Sequence, residues 1–103
     1  MKDAPLSKDQ AKVQLNLCLN DGFVSYTKHF KEELFNDGLT MEDTLAICRD
    51  GLIVRVPEKD IKTGDWKYRI EGCTADRESV AIVFTLKAVL KAVLITVFKR
   101  TNG

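Results

Sequence analysis

Three apolar segments in the last third of the chain decide its fold: Trp66-Lys-Tyr-Arg-Ile-Glu-Gly72, Ser79-Val-Ala-Ile-Val-Phe-Thr-Leu86 and Ala92-Val-Leu-Ile-Thr-Val-Phe-Lys-Arg100. Turn residues separate these segments, and β-branched and aromatic residues dominate them, which is typical of an antiparallel β-meander. From Ser79 to the end of the chain every charged residue is positive, namely Lys87, Lys91, Lys99 and Arg100. A sheet whose last strands carry only positive charge favours a polyanionic ligand over a metal or an apolar ligand.

The stretch between the last two strands is ambiguous by itself. Residues 86–94 read Leu-Lys-Ala-Val-Leu-Lys-Ala-Val-Leu, a composition that favours a helix. Residues 95–98 are strongly β-forming, and a helix here would leave too little chain for a fourth strand of normal length. We therefore favour a strand ending at Leu86, a turn, and a fourth strand from about Lys91 to Lys99.

Helix signals fill the first half of the chain. Ser7 with Gln10 is a capping-box pattern, and an apolar face at helical spacing follows it, consisting of Ala11, Leu15, Cys18 and Leu19. Thr27 and Thr40 are plausible caps of two further helices. We predict helices that end near Asn20, Asn36 and Arg49, with residues 23–26 as a short link, extended if anything.

The sequence period changes after Gly51. Leu52 to Val56 reads as a first strand, residues 57–64 as a polar loop, and Trp66 to Cys73 as the second strand. The prediction is an α+β fold with two or three N-terminal helices packed on one face of a four-stranded antiparallel sheet. We expect a single domain over residues 1–103, with a helical part at about 7–50 and a sheet part at about 52–100.

The net charge of +1 conceals a polarised chain. Residues 1–51 hold six Lys/Arg and nine Asp/Glu, and residues 52–103 hold ten and six, so the halves carry −3 and +4. The three cysteines are far apart, no CxxC occurs, and His29 has no metal-spaced partner, so we expect free thiols, no metal and no cofactor.

No secretory or membrane-spanning segment is expected. The chain begins with a polar stretch, and the apolar run from Val80 to Phe98 has Lys87 and Lys91 at its middle. Each lysine would cost about 2.5–3.5 kcal/mol at the centre of a bilayer. We therefore expect a cytoplasmic protein with no membrane partner.

Several short motifs resemble the domain-of-unknown-function family 4258, a group of small bacterial and phage-associated proteins. The motifs are Thr27-Lys-His29, Gly38-Leu-Thr-Met-Glu-Asp43, Tyr68-Arg-Ile-Glu-Gly72, residues 80–84 and Leu94-Ile-Thr-Val-Phe98. The resemblance spans residues 24–100, and residues 17–26 also resemble the start of the motility quorum-sensing regulator toxin. The family often has Arg where this chain has Glu33, and Gly-Arg where it has Gly72-Cys73.

That family is grouped with RelE-like and BrnT-like toxins. The resemblance implies a RelE-like fold of helices and an antiparallel sheet, cleavage of RNA (mRNA being one candidate) and pairing with an antitoxin protein. RelE-like enzymes commonly build metal-independent sites from Lys, Arg and Tyr on the sheet. In such a reaction the 2′-OH attacks the adjacent phosphate, which requires a base, an acid and a cation for the developing charge.

The candidate catalytic residues are His29, Lys67, Arg69 and Lys99. Alternation along the second strand sets Lys67 and Arg69 on one face, about 6.6 Å apart by strand rise, where they can clamp a phosphate. The alternative is that both are ordinary solvent-facing charges. His29 is the one side chain whose ordinary pKa suits acid–base work near neutrality, and its alternative is a surface or packing role.

The candidate RNA-binding residues are Arg55, Tyr68 and Arg100. Tyr68 and its neighbour Trp66, two positions apart, can stack on unpaired bases, or they can be core beneath a helix. Arg55 can join a basic patch or face solvent. The sequence therefore predicts a toxin-like, metal-independent endoribonuclease of a toxin–antitoxin system. The alternative is a non-catalytic protein-interaction or RNA-binding module that keeps the toxin fold.

Overall fold

Three helices and six strands make up the computed structural model, which describes residues 4–100; the ends of the expected domain, residues 1–3 and 101–103, lie outside the described part. The helices are α1 (Lys8–Asp21), α2 (Lys28–Asn36) and α3 (Met41–Asp50), and the strands are β1 (Phe23–Tyr26), β2 (Leu52–Ile53), β3 (Glu58–Lys59), β4 (Trp66–Cys73), β5 (Ser79–Ala88) and β6 (Lys91–Lys99). The α+β prediction is confirmed, and so is the strand–turn–strand interpretation of residues 86–94.

The helices begin at the predicted caps. Ser7 and Thr40 each form a capping box, with Gln10 and Asp43 as the reciprocal partners, so both helices have two of their first backbone N–H groups satisfied. The Thr27 hydroxyl accepts a hydrogen bond from the Phe30 N–H at the start of α2. These caps fix where the chain changes from extended to helical backbone.

The sheet has six strands in place of the predicted four. Its order is β1-β6-β5-β4-β2, with β3 pairing with β4, and the pairs among β4, β5 and β6 are antiparallel as expected. β1 is the added edge strand, and it runs parallel to β6. The N–H groups of Phe23 and Thr27 donate to the carbonyls of Leu90 and Leu94, so tertiary pairing turns a four-residue link into a strand.

The predicted first strand, Leu52 to Val56, is wrong beyond Ile53. Ile53 lies opposite Ile70, and Glu58 lies opposite Lys67, so four residues of the edge chain oppose two residues of β4. The two extra residues form a bulge that splits the edge into β2 and β3. Pro57 within the bulge has no N–H to donate to the ladder.

All three helices pack on one face of the sheet. α3 lies against β4 and β5, α2 lies against β6, and α1 crosses from β2 to β1. The core between the layers is apolar, and its largest fully buried side chains include Phe30, Phe84, Leu15, Ile47, Ile70, Ile82 and Leu94. No helix within residues 4–100 is long and apolar enough to cross a membrane.

Candidate nucleic-acid interface

The face of the sheet opposite the helices is called the open face below. On β4 it carries Lys67, Arg69 and Glu71, which alternate with the core residues Tyr68 and Ile70. The strand register then sets Thr85, Val83 and Ala81 of β5 beside these three residues, and Val93, Thr96 and Phe98 of β6 beyond them. The open face therefore has charged side chains, two cations and one carboxylate, on β4 and apolar or hydroxyl side chains on β5 and β6.

Three arginines surround the carboxylate of Glu71 and are called the arginine cluster. The Arg69 Nε lies 2.8 Å and the Arg55 Nε 3.6 Å from Glu71 Oε2, and Arg100 Nη1 lies 3.2 Å from Oε1. The Glu71 side chain is only 11% exposed, so its contacts with the guanidiniums are partly screened from water. One negative charge against three positive charges leaves the cluster with a positive excess.

Local structure explains why these arginines meet. Arg55 lies on the bulge between β2 and β3, and its guanidinium reaches the carboxylate of Glu71 on β4. Arg69 is held by β4 itself, and its guanidinium lies 4.9 Å from the centroid of the Phe98 ring. Arg100 directly follows β6, and its N–H donates to the carbonyl of Ser79. Three separate segments thus converge on one carboxylate.

The hydrogen bonding of the cluster is incomplete. Arg69 Nε and Glu71 Oε2 are close enough for an ion pair, but they are not aligned as a hydrogen bond, and both buried atoms lack a hydrogen-bond partner. A guanidinium has five N–H donors arranged in a fixed fork. Arg69 Nε is buried, so the donors that an anion such as a phosphate can reach are those of the more exposed Arg55 and Arg100.

A shallow depression of about 210 Å³ adjoins the cluster. Charged and apolar residues both line it: the cations Arg55, Lys67 and Arg69 and the carboxylate of Glu58, together with Val56, Val83 and Ile95. A nucleotide has the same two parts, an anionic phosphate and a largely apolar base face. The depression therefore combines the two kinds of contact that unpaired RNA requires.

The structure brings together four of the seven candidate residues. Lys67 and Arg69 share the open face as alternation predicts, and Arg55 and Arg100 join Arg69 at Glu71. Tyr68 is not on this face. It is 4% exposed, its ring stacks on Phe84 with centroids 5.6 Å apart, and its hydroxyl accepts a hydrogen bond from the Leu6 N–H. Tyr68 thus has the core role that the sequence left open as the alternative.

His29 lies on α2, away from the arginine cluster. It is 65% exposed, and its Nε2 is 3.2 Å from Glu33 Oε1, one helical turn along. The same Glu33 oxygen accepts a hydrogen bond from the Val97 N–H, in the part of β6 that β1 does not cover. Glu33 therefore caps a sheet edge in this chain.

Lys99 projects to the helix side of the sheet. It lies directly opposite the core residue Val80, so alternation sets it on the face opposite Arg69. Its Nζ is 2.6 Å from Glu78 Oε2, and this hydrogen bond raises the pKa of Lys99. Lys99 and His29 are therefore not members of the arginine cluster, although the sequence grouped them with Lys67 and Arg69.

Sequence reasoning missed Glu71 and Phe98. Glu71 follows Lys67 and Arg69 at the same two-residue spacing, so alternation alone could have assigned it to the same face. Phe98 gave no such signal, because its contact with Arg69 depends on the register of β4, β5 and β6. Within residues 4–100, no group of three or more His, Cys, Asp or Glu side chains is arranged to hold a metal ion.

No protein-family model matches this chain, and no curated protein is significantly similar to it in sequence.

Proposed function

We propose that the protein is a toxin-like, metal-independent endoribonuclease that holds single-stranded RNA on the open face of its sheet. The observation that carries the proposal is the arginine cluster with Lys67 beside it, a concentration of positive charge in partly buried surroundings. Arginine forks match the geometry of phosphate oxygens, and a partly dry environment strengthens that attraction. The motifs that resemble family 4258, and the RelE-like fold which that resemblance implies, give the proposal its reaction type.

The chemistry follows from the charges on this face. The RNA 2′-OH attacks the adjacent phosphorus, the bond to the 5′ oxygen breaks, and a 2′,3′-cyclic phosphate forms. Arg69 and its neighbours stabilise the negative charge that develops on the phosphate oxygens. Glu71, on the same face of β4, can accept the 2′-OH proton, and Lys67 can supply a proton to the leaving 5′ oxygen.

The test is cleavage of a labelled, unstructured RNA by the purified protein in excess EDTA. We expect discrete products ending in a 2′,3′-cyclic phosphate, because the internal 2′ oxygen is the nucleophile and no metal takes part. An otherwise identical RNA with 2′-O-methyl groups should remain intact. Products that require a divalent ion, or that form equally from the 2′-O-methyl RNA, would contradict the proposed chemistry.

A second candidate function is RNA binding without cleavage. It is favoured by the separation of His29 from the arginine cluster, since the His29 imidazole contacts Glu33 on α2 instead. A pure binder would retain the RNA on the open face and release no products. Salt-dependent binding of RNA together with an intact substrate after long incubation would support this candidate over the endoribonuclease.

A further inference from the structure

We infer that Glu71 is an internal competitor for the RNA phosphate: its carboxylate occupies the arginine cluster in the free protein, and a bound phosphate takes over those guanidiniums. This inference rests on the proposed function, because it concerns how RNA enters the same face. Glu71 then has a role that no sequence motif assigns to it, because its carboxylate sets the affinity of the arginine cluster for RNA.

The first support is the position of the carboxylate. Glu71 is 11% exposed and lies within 3.6 Å of guanidinium nitrogens from three different segments of the chain. A carboxylate and a phosphate present similar oxygens to an arginine fork. A group so placed neutralises part of the charge that attracts RNA, and it also keeps the three mutually repelling guanidiniums together.

The second support is the looseness of those contacts. The Arg55 contact, at 3.6 Å, is too long for a hydrogen bond, and the shorter Arg69 contact is not aligned as one. The Glu71 carboxylate therefore neutralises part of the charge of the cluster, but it leaves N–H groups of the arginines without a hydrogen bond. Arg69 Nε is itself buried, but a phosphate that reaches the exposed guanidiniums of Arg55 and Arg100 gains hydrogen bonds that Glu71 does not make.

Third, the three arginine side chains differ in how exposed they are and therefore in how freely they can reorient. The Arg69 side chain is 20% exposed and lies over Phe98, whereas the Arg55 and Arg100 side chains are 61% and 40% exposed. Arg69 is therefore the fixed element, and the other two guanidiniums can turn from the carboxylate to a phosphate. Such an exchange needs no movement of the sheet.

The test compares the affinities of Glu71→Gln and wild type for a fluorescent 2′-O-methyl oligouridylate, measured by anisotropy. The modified RNA cannot be cleaved, so the experiment reports binding alone. We expect Glu71→Gln to bind at least about tenfold more tightly, because the competing charge is gone and the arginines remain. The matched control is Glu58→Gln, which removes a carboxylate that lies opposite Lys67 and outside the arginine cluster, and should change the affinity by less than about threefold.

Three outcomes would overturn the inference. If the wild type binds and folded Glu71→Gln binds no more tightly, Glu71 is not a competitor, while the proposed RNA-binding face stands. If Glu58→Gln gains as much as Glu71→Gln, the gain reflects net charge alone. If neither the wild type nor Glu71→Gln binds, the proposed function fails together with the inference.

A second measurement does not depend on the variant folding. In wild-type protein labelled with ¹³C at glutamate carboxyls, adding the same RNA should move the Glu71 carboxyl resonance, because its guanidinium partners change. We expect the Glu33 resonance, which reports a carboxylate on α2, to stay in place. A Glu71 resonance that does not move at saturating RNA would overturn the inference.

Discussion

Gly51 and Gly72 face each other where α3 ends against β4, and they differ in the space around them. A Cβ atom at position 51 would lie 2.5 Å from the Ile47 carbonyl oxygen and 2.7 Å from that of Glu71. A Cβ atom at position 72 would meet nothing nearer than 3.4 Å. Position 51 therefore requires glycine for close backbone approach, and position 72 accepts a methyl group.

We expect Gly51→Ala to lower the free energy of unfolding by about 1–3 kcal/mol, because backbone atoms that cannot rotate away must shift. Gly72→Ala should stay within about 0.5 kcal/mol of wild type, which is usual for a substitution that breaks no packing. Urea denaturation of the two variants measures the difference. Equal losses in both would contradict the tight contact between α3 and β4.

The buried thiol of Cys48 makes stability depend on alkaline pH. Burial raises the pKa of Cys48 to about 12 from an ordinary value of 9.0, with the nearby Lys12 acting in the opposite direction. Between pH 9 and pH 12 the Cys48 thiol therefore stays protonated in the folded protein, whereas it loses its proton in the unfolded chain. The contribution of the protonated Cys48 thiol to the free energy of unfolding is fully present below pH 9 and disappears as the pH rises toward 12.

We expect the free energy of unfolding to fall between pH 9 and pH 12, by up to roughly 4 kcal/mol from this group. Cys48→Ala, although less stable near neutrality, should show a smaller fall over the same range. Cys73→Ala removes an exposed thiol and should leave the slope as in wild type. The inference about Cys48 is contradicted if all three proteins lose stability in parallel.

At the scale of elements, the junction between β1 and α2 depends on one threonine. The Thr27 hydroxyl accepts from the Phe30 N–H and donates to the Ile95 carbonyl, while the Thr27 N–H donates to the Leu94 carbonyl. The residue thus caps α2 and ties its start to β6. Ser7, by comparison, caps α1 at an exposed position.

We expect Thr27→Ala to cost about 2–3 kcal/mol of stability, since it removes a cap and leaves a partly buried carbonyl without its donor. Ser7→Ala removes only a cap and should cost about 1 kcal/mol. Thermal unfolding of both variants measures the difference. A loss at Ser7 equal to or larger than the loss at Thr27 would show that the link to β6 contributes nothing.

The elements that the sequence could predict are those with local signals. The caps at Ser7 and Thr40 and the β-branched runs of β4 and β6 lie within the residues that form them, and their predicted bounds agree closely with the structure. β1 and the bulge after Ile53 could not be predicted in this way. The first is a strand only because β6 lies beside it, and the second follows from pairing with β4.

The candidate site was predictable to a similar degree. Alternation along one strand sets Lys67 and Arg69 together, and that part required no knowledge of the fold. Deciding whether His29 and Lys99 lie near Lys67 and Arg69 does require knowledge of the fold. Those two residues lie on elements whose relative positions depend on long-range pairing. The convergence of Arg55 and Arg100 on Glu71 likewise joins segments 16 and 29 residues away along the chain.

At the scale of the whole molecule, the open face concentrates positive charge that the net charge of +1 conceals. If four cations of this face, Arg55, Lys67, Arg69 and Arg100, contact phosphates, RNA affinity should fall steeply with salt. For single strands the slope of log K against log salt is about −0.7 for each phosphate contact.

We expect Lys67→Ala to weaken RNA binding and to reduce the magnitude of that slope by about 0.7, because one phosphate contact is lost. Lys28→Ala removes the same charge from the exposed surface of α2 and should leave the slope unchanged. Anisotropy titrations over a range of KCl concentrations measure both. An equal change in the two variants would show that RNA responds to overall charge and has no preferred face.

The most direct test of RNA cleavage on the open face is a brief induction of the protein in a bacterial host, followed by mapping of RNA 5′ ends. We expect new, discrete ends with the wild type and with Lys28→Ala/Lys31→Ala, which loses two charges from α2. Lys67→Ala/Arg69→Ala, expressed at the same level and with a similar thermal midpoint, should produce none. Ends that persist in the latter variant, or no new ends with soluble wild-type protein, would contradict the assignment.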